Sequence, residues 1–547
     1  MAVDGAYDAV IIGAGAGAGG AAAWRLCSHG LRVLIIEAGP RFDPSVDYPL
    51  TNADWERRGF PTKPNSQGAV SYGDLGTLDP GDVDLAAKNT VSGRLFNNPK
   101  RVPSAAGYSH VQGVGGSTLH YVGEAHRLNP ASFSLASDHG IGADWPLSFE
   151  DLEPFYVTCE TEIGVAGAPE SGARWPSDAH LQPVHPLSTS ARALEKAGRL
   201  LGMAWEPNTR AALSEPKDGR PNCNYCGNCG RGCPLGDKGS ADVTFIRKAE
   251  ATGLLTIWTD AQVTRLVSGQ GVRIGSVIGL RNGASFEQET PVLILAAGAV
   301  QTPRLLLVSD VANSSGQVGR NFMETLGWTS SGLRAGLMNS HKGLPADAVS
   351  WAYNNPGSVP GLAGGCRFTA STQEVGLMGP VAYASRLVDG YGAAFKAQMH
   401  RNFGSAISVS GTGETIPDER SFVALDPEQV DDAGVPVAQI NSVLTDHSLA
   451  LLRFMAGRCR ALLAAAGVEE VLEEYGSWDS FTATHAFGTC RMGNDPATSV
   501  VDAFGRAHDI ENLYIADASV FPSSGGGEAP ALTIQALAVR LADRLVA

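Results

Sequence analysis

Tyr7–Pro40 reads YDAVIIGAGAGAGGAAAWRLCSHGLRVLIIEAGP. The apolar run Ala9, Val10, Ile11, Ile12 ends in Gly13-Ala14-Gly15, a small-residue segment with helical character follows, and a second apolar run, Val33 to Ile36, ends in Glu37. Strand, glycine turn, helix, strand and acid in that order make a βαβ unit suited to a dinucleotide. The glycines let the backbone turn sharply and approach a pyrophosphate, and the amides at the helix start face its negative charge. Glu37 falls where an acid accepts hydrogen bonds from a ribose. Two registers fit, Gly13-x-Gly15-x-x-Ala18 and Gly15-x-Gly17-x-x-Gly20, and the first is preferred because Gly13 directly follows the strand. A flexible glycine-rich terminus would not be flanked by two buried-strand runs.

Working outward, the 547 residues, 43% hydrophobic and 18% charged, suit a globular chain of two to four lobes. No run approaches the roughly 20 apolar residues of a membrane helix. The first strand begins too early for a signal peptide, so a cytoplasmic location is expected, export with a partner subunit aside. A formal net charge of −15 without an arginine-rich face argues against nucleic acid as a partner.

Arg41 to Arg101 is rich in Pro, Gly, Asn and Asp and reads as a loop-rich excursion. A second glycine stretch follows, Gly107 to Tyr121, containing Gly113-Val-Gly115-Gly116-Ser117 and His120. Ser148 is a good N-cap before Glu150, Asp151 and Glu153. Leu187 to Leu201 has helical spacing, and Leu254 to Leu295 turns to strands. The last of these, Val292 to Leu295, ends near Gly298, with Thr302-Pro303 starting a helix, so a strand again delivers glycine and a helix start to one place. From about 325 to 480, aromatics scatter among Gly and Ser, as in a lobe with a mixed or antiparallel sheet, with Asp446 as N-cap of a helix to about Ala465. A helix from about Ala531 to Val546 closes the chain.

Cys223, Cys226, Cys229 and Cys233 lie among nine cysteines and form C-x₂-C-x₂-C-x₃-C-P, the bacterial ferredoxin spacing. In two-cluster ferredoxins the fourth cysteine serves the other cluster, so the run alone does not define a four-ligand site. Zinc is the main rival, although its sites usually pair two separated knuckles. A loop without metal is the third reading.

With these pieces placed, the chain resembles the glucose-methanol-choline (GMC) family of flavin oxidoreductases over essentially its whole length. The resemblance rests on Gly13 to Glu37, Gly113 to Ser117, Gly298-Ala-Val-Gln-Thr-Pro303, Val318-Gly-Arg-Asn321 and His485 through Ala518. Asp144-Trp-Pro146, Asp151-Leu-Glu-Pro154, Leu425-Asp-Pro427 and the cysteine run are similar to the bacterial sugar and gluconate dehydrogenases, and the run continued by Gly236-Asp-Lys-Gly239 is also similar to long-chain alcohol oxidases. The fold so implied is α/β with an α+β substrate lobe. A Rossmann-like FAD-binding domain would take 1–45, 95–135, 240–325 and 481–547, with a loop-rich excursion at 46–94, a connecting segment with the cysteines at 136–239, and a sheet-based substrate domain at 326–480.

The resemblance implies FAD as cofactor, with its ribose near Glu37, its pyrophosphate over Gly13, Gly15 and Ala18, further contacts from Gly115, Gly116 and Ser117, and Asp517 and Ala518 near the flavin. In some family members the residue matching His120 carries a covalent flavin, and in others FAD is held non-covalently. His485 takes the position of the catalytic base, a role a histidine suits near neutral pH. The family's second histidine or asparagine is missing: the region reads Ser523-Ser-Gly-Gly-Gly-Glu-Ala-Pro530, with Glu528 the nearest polar candidate and Ala529 equally possible by spacing. The iron-sulfur members carry C-x₅-C-x₃-C-P, matched by Cys223, Cys229 and Cys233, with Cys226 a fourth ligand or a bystander. The leading expectation is a dehydrogenase of a sugar or polyol alcohol that passes electrons to an acceptor protein or small subunit. An oxidase using dioxygen on long-chain or aromatic alcohols is the alternative, and a non-redox flavin protein or lyase with a structural metal knot is the third.

Overall fold

The computed structural model describes residues 7–15, 18–48, 71–72, 88–89, 110–168, 181–336, 338–340, 342–478 and 485–547. Most of the Arg41–Arg101 excursion, and Gly17 of the alternative glycine register, fall outside them. Within the excursion two short strands are described, Ser71–Tyr72 beside Gln439–Ile440 and Lys88–Asn89 beside Glu473–Glu474.

The four-residue runs read as buried strands are buried strands. Ala9–Ile12 and Val33–Ile36 lie side by side in a parallel five-stranded sheet whose order is Leu513–Ile515, Leu293–Leu295, Ala9–Ile12, Val33–Ile36, Leu255–Trp258. Strands buried on both faces read as continuous apolar runs because helices cover both sides. The helix Ala18–Ser28 packs on this sheet and against the C-terminal helix Ala531–Val546, in one apolar core. The strands between Ala261 and Glu289 are not part of the sheet but form a separate antiparallel meander.

The helix expected to start at Thr302-Pro303 starts at Gly298 and runs to Ser309, with Pro303 inside it. Proline removes the amide that would bond the carbonyl four residues back. That carbonyl, Ala299 O, accepts instead from the Thr489 hydroxyl at 2.7 Å. The defect in one helix thereby docks the segment that follows His485.

The second lobe is a seven-stranded antiparallel sheet, centred on Leu326–Arg334, Ala406–Gly413 and Cys366–Ala370, with its own core. The helix Asp446–Ala465 packs across it. Thr445, not Asp446, is its N-cap, accepting from Ser448 N, and Asp446 is the first helical residue, where an acid suits the positive helix end. Ser148 caps the helix Phe149–Ile163 as expected, in a capping box with Asp151. Sheet register sets Gly327, Thr412 and Arg367 in one row, and this row forms a wall of the site.

Candidate active site

One cavity of about 480 Å³ runs between the two lobes, within the size range of small-molecule sites. At one end it is lined by backbone. Gly13 follows the strand with φ +98°, and a Cβ there would sit 2.7 Å from Ala296 O. A Cβ on Gly15 would lie 3.5 Å from the Cα of Gly116, so the two glycine stretches of the sequence lie against each other in the cavity wall. Gly115, at φ +107°, turns the chain into the short helix Gly116–Leu119 and stands just behind the lining.

Glu37 also lines this end, and its carboxylate accepts from Ala14 N at 2.8 Å and Gly39 N at 3.0 Å. The acid assigned to a ribose thus also holds the glycine turn. Burial pushes its carboxyl up to about 7, against the pull of those amides. Asp517 accepts from Gly298 N at 2.9 Å and the Thr302 hydroxyl at 2.5 Å, tying the start of one helix to the Leu513–Ile515 strand. Ala18, Ser117, His120, Asp517 and Ala518 line the same cavity. A backbone cradle that excludes a Cβ at Gly13, flanked by backbone amides and an acid, fits the dinucleotide that the sequence implies.

The other end is built from side chains. His485 sits where Thr325 N donates to its carbonyl at 3.2 Å, beside the two-stranded ladder of Met323–Glu324 with Ala486–Phe487. Its imidazole faces the cavity and makes no hydrogen bond among the described residues. Burial, and secondarily the Arg367 charge, push it down to about 4, so it is neutral and proton-accepting at neutral pH.

Behind it runs a continuous chain of bonds that the sequence reading did not find. Ala529 N donates to His126 Nδ1 at 3.0 Å. An amide can only donate, so the His126 proton sits on Nε2 and goes to Asn208 Oδ1 at 2.7 Å. Asn208 Nδ2 donates to Glu124 Oε1 at 2.8 Å, and Arg367 donates to both Glu124 oxygens at 2.8 and 2.7 Å and to Gly527 O. Burial alone would raise the Glu124 carboxyl, but the Arg367 and Arg210 charges outweigh it and hold it well below the usual range.

This chain grips the loop 527–529, and it decides between the two candidates there. Ala529 lines the cavity; Glu528 does not, and its Oε1 accepts from Asn354 Nδ2 at 2.8 Å, in the layer near Glu414. The expectation that Glu528 is a pocket residue is therefore corrected: its carboxylate is committed to the wall.

The cysteines lie near one another but are not posed as a ligand set. Cys223 and Cys229 are buried, Cys233 is half-buried and donates to Asp237 Oδ1 at 2.7 Å, and Cys226 is exposed. Burial raises the first three thiols, Cys233 to about 12, which keeps their protons on. Among the described residues no group of three or more His, Cys, Asp or Glu is placed to hold a metal ion. The arrangement does not fit the iron-sulfur ligand set expected from Cys223, Cys229 and Cys233. Between the thiols the buried Lys238 ammonium donates to Leu119 O, Tyr121 O and Cys229 O at 2.8, 3.0 and 2.9 Å, fastening the loop to the segment that carries His120. Among the described residues no helix is long and apolar enough to cross a membrane.

Comparison with known proteins agrees with this geometry. Residues 180–326 and 417–538 match the N- and C-terminal family models described as GMC oxidoreductase. The chain is 30% identical to 2-methyl-1,2-propanediol dehydrogenase of Mycolicibacterium austroafricanum, over 98% of this chain and 94% of that one. It is 28% identical to the fructose dehydrogenase large subunit of Gluconobacter japonicus, over 98% and 97%. Pyridoxine 4-oxidase from Mesorbium loti shares the fold, with a TM-score of 0.62 at 20% identity and 98% of each chain covered. The chain is a member of the GMC oxidoreductases, FAD-binding dehydrogenases and oxidases that act on CH–OH groups.

Proposed function

We propose that this protein oxidises an alcohol carbon of a sugar or polyol-like substrate, with FAD lying along the cavity from Glu37 toward His485. The observation that carries this reading is one cavity with a glycine cradle at one end and, at the other, a neutral imidazole that makes no hydrogen bond among the described residues. FAD, when bound, supplies the acceptor for the hydride that leaves the alcohol carbon. Gly13, Gly15, Ala18, Gly116 and Ser117 would hold it, with Glu37, Asp517 and Ala518 beside them. His485 takes the hydroxyl proton at a ring nitrogen, which its lowered affinity for protons leaves vacant at neutral pH. Ala529, where the family has a second polar residue, gives the substrate a small wall, and the His126–Asn208–Glu124–Arg367 chain keeps that wall in place. Burial at the His485 end strengthens the local electrostatics.

Electrons then pass to an external acceptor, either a partner protein or dioxygen. No step is assigned to the cysteine loop. Anaerobic reduction of the bound flavin by a panel of sugars, polyols and long-chain alcohols tests the reading: bleaching by at least one is expected, and none by any would overturn it. Peroxide formed in air then separates an oxidase from a dehydrogenase.

A further inference from the structure

We propose that the turn 431–436 belongs to the cofactor site: it closes the Glu37 end of the cavity over the adenosine half of the dinucleotide, and Arg304 is the positioning residue that clasps it there and sets how fast FAD leaves. This rests on the reading of the cavity as the FAD site.

The strands Phe422–Val430 and Pro436–Asn441 form an antiparallel hairpin. They fall within the span 326–480 of the sheet-based lobe, yet they pack on the helix Gly298–Ser309, with Val423, Ala438 and Ile440 against Val300 and Phe322. The shape of the turn between them is made by Asp431. Its amide donates to Val435 O at 2.9 Å, and its Oδ1 accepts from Ala433 N and Val435 N at 2.9 and 3.0 Å. An aspartate bonding the backbone that follows it fixes the form of a loop but not where the loop sits.

Its position is set from outside. Arg304, on the helix, donates to Asp431 Oδ2 at 2.7 Å, to Pro436 O at 2.7 Å and to Val435 O at 3.2 Å. Gln262, on the antiparallel meander, donates to the same Asp431 oxygen at 2.8 Å. The turn is therefore held from two elements at once. The Arg304 and Asp431 side chains are only 10% and 9% exposed. Burial raises the Asp431 carboxyl, but Arg304, the Val435 amide and Gln262 outweigh it and hold it below its ordinary value, so the pair is ionised.

Arg304, Gln262 and Val435 all line the cavity that Glu37 lines. Ala261 N donates to Glu37 O at 2.9 Å, which sets this wall beside the acid assigned to the ribose. A ligand lying against Glu37 thus has the turn as a wall. Removing one partner of a buried ion pair leaves the other uncompensated, so loss of the guanidinium should loosen that wall. Changes of this kind act mainly on the rate at which a bound molecule departs.

The test follows FAD leaving the purified, full-length holoenzyme, read as flavin passing an ultrafiltration membrane with time. Arg304→Met should raise the rate constant of release about 10- to 100-fold, the worth of hydrogen bonds between charged groups, and Arg304→Lys, which keeps the charge without the planar fork, by less. Arg386→Met is the matched control. It breaks the buried pair with Glu473, neither residue of which lines the cavity, and should leave release within about twofold of the wild type. Asp431→Asn, which keeps the form of the turn, should speed release about threefold or more and decides the question if Arg304→Met does not fold. Release at the wild-type rate in Arg304→Met or Asp431→Asn would overturn the proposal, as would an equal acceleration in Arg386→Met, because retention would then follow overall stability. If the flavin proves to be bonded to the protein, the same comparison is made with His120→Ala added to every chain. No alcohol is involved, so the outcome stands whether or not any substrate reduces the flavin. A protein that takes up no FAD would overturn the cofactor reading, and this proposal with it.

Discussion

The two ends of the cavity are made of different material. The dinucleotide end is backbone: Gly13 leaves no room for a Cβ beside Ala296 O, and Gly15 lies against the backbone of Gly116. The substrate end is side chain: His126, Asn208, Glu124 and Arg367 come from distant parts of the chain and bond in series around the loop 527–529. The first end fails if a side chain is added at Gly13. The second fails if anything is taken away, because every member is buried and leaves a partner unsatisfied.

The largest expected effect is at His485. His485→Ala removes the proton acceptor and should slow anaerobic flavin reduction by about 10² to 10⁴, with FAD content unchanged. A variant reducing at near the wild-type rate would take His485 out of the chemistry. The same residue fixes a pH dependence. Because burial lowers its pKa to about 4, the base form persists as pH falls through 6 and 5 and is lost only near 4. The acid limb of the reduction rate should therefore be centred near 4; a limb near the ordinary histidine value of about 6.5 would mean the imidazole is not desolvated as described.

Next in size is the ion pair behind it. Arg367→Met strips both bonds from Glu124, which is 5% exposed, and leaves a buried carboxylate without its counter-ion. A loss of about 3–5 kcal/mol in chemical denaturation is expected, with part recovered when Glu124→Gln is added. A loss under about 1 kcal/mol would show that the side-chain end is looser than its geometry.

At the backbone end, Gly13→Ala meets two penalties, a φ of +98° and a Cβ 2.7 Å from Ala296 O. Gly30→Ala is the matched control, with φ +86° and nothing within 4 Å of the added carbon. Both should pay the roughly 1–2 kcal/mol of a left-handed residue. Only Gly13→Ala should also lose FAD on gel filtration, and equal retention in the two variants would mean that the cradle tolerates a methyl group.

The same contrast explains what the sequence could reveal. The backbone end is local: an apolar run, a glycine where φ is positive and a small-residue helix occupy one continuous stretch, so Tyr7–Pro40 could be read directly. The run ending at Leu295 was legible for the same reason, as were the Ser148 cap and the terminal helix. The side-chain end is not local. Glu124 and Arg367 are 243 residues apart, and His126 meets Ala529 across 403, so no spacing announces them. Arg367 stands in Cys-Arg-Phe-Thr-Ala, a fully buried strand, and a charge inside such a run was the available hint that a partner lay elsewhere. Glu528 was misplaced because spacing locates a loop but not the direction of one side chain. The exchange of a proline-orphaned carbonyl at Ala299 for the Thr489 hydroxyl likewise needed three dimensions.

The smallest effect concerns the stretch where local spacing and three-dimensional arrangement point different ways. The run from Cys223 to Cys233 matches a ferredoxin pattern in one dimension, but cluster ligation needs thiolates converging on one point. Here Cys226 is exposed and Cys233 spends its proton on Asp237. Lys238 sits against Cys229 O, and three such bonds to carbonyls already fasten the loop to the rest of the protein. If that ammonium rather than a metal secures the loop, Cys226→Ser is an ordinary surface substitution and should change stability by no more than about 0.5 kcal/mol. Iron and acid-labile sulfide in anaerobically purified protein should be substoichiometric in the wild type and in this variant alike. Stoichiometric iron and sulfide that fall when Cys226 or Cys233 is replaced would reverse the assignment, because the loop would then have to reorganise around a cluster and the path of electrons away from the flavin would run through it.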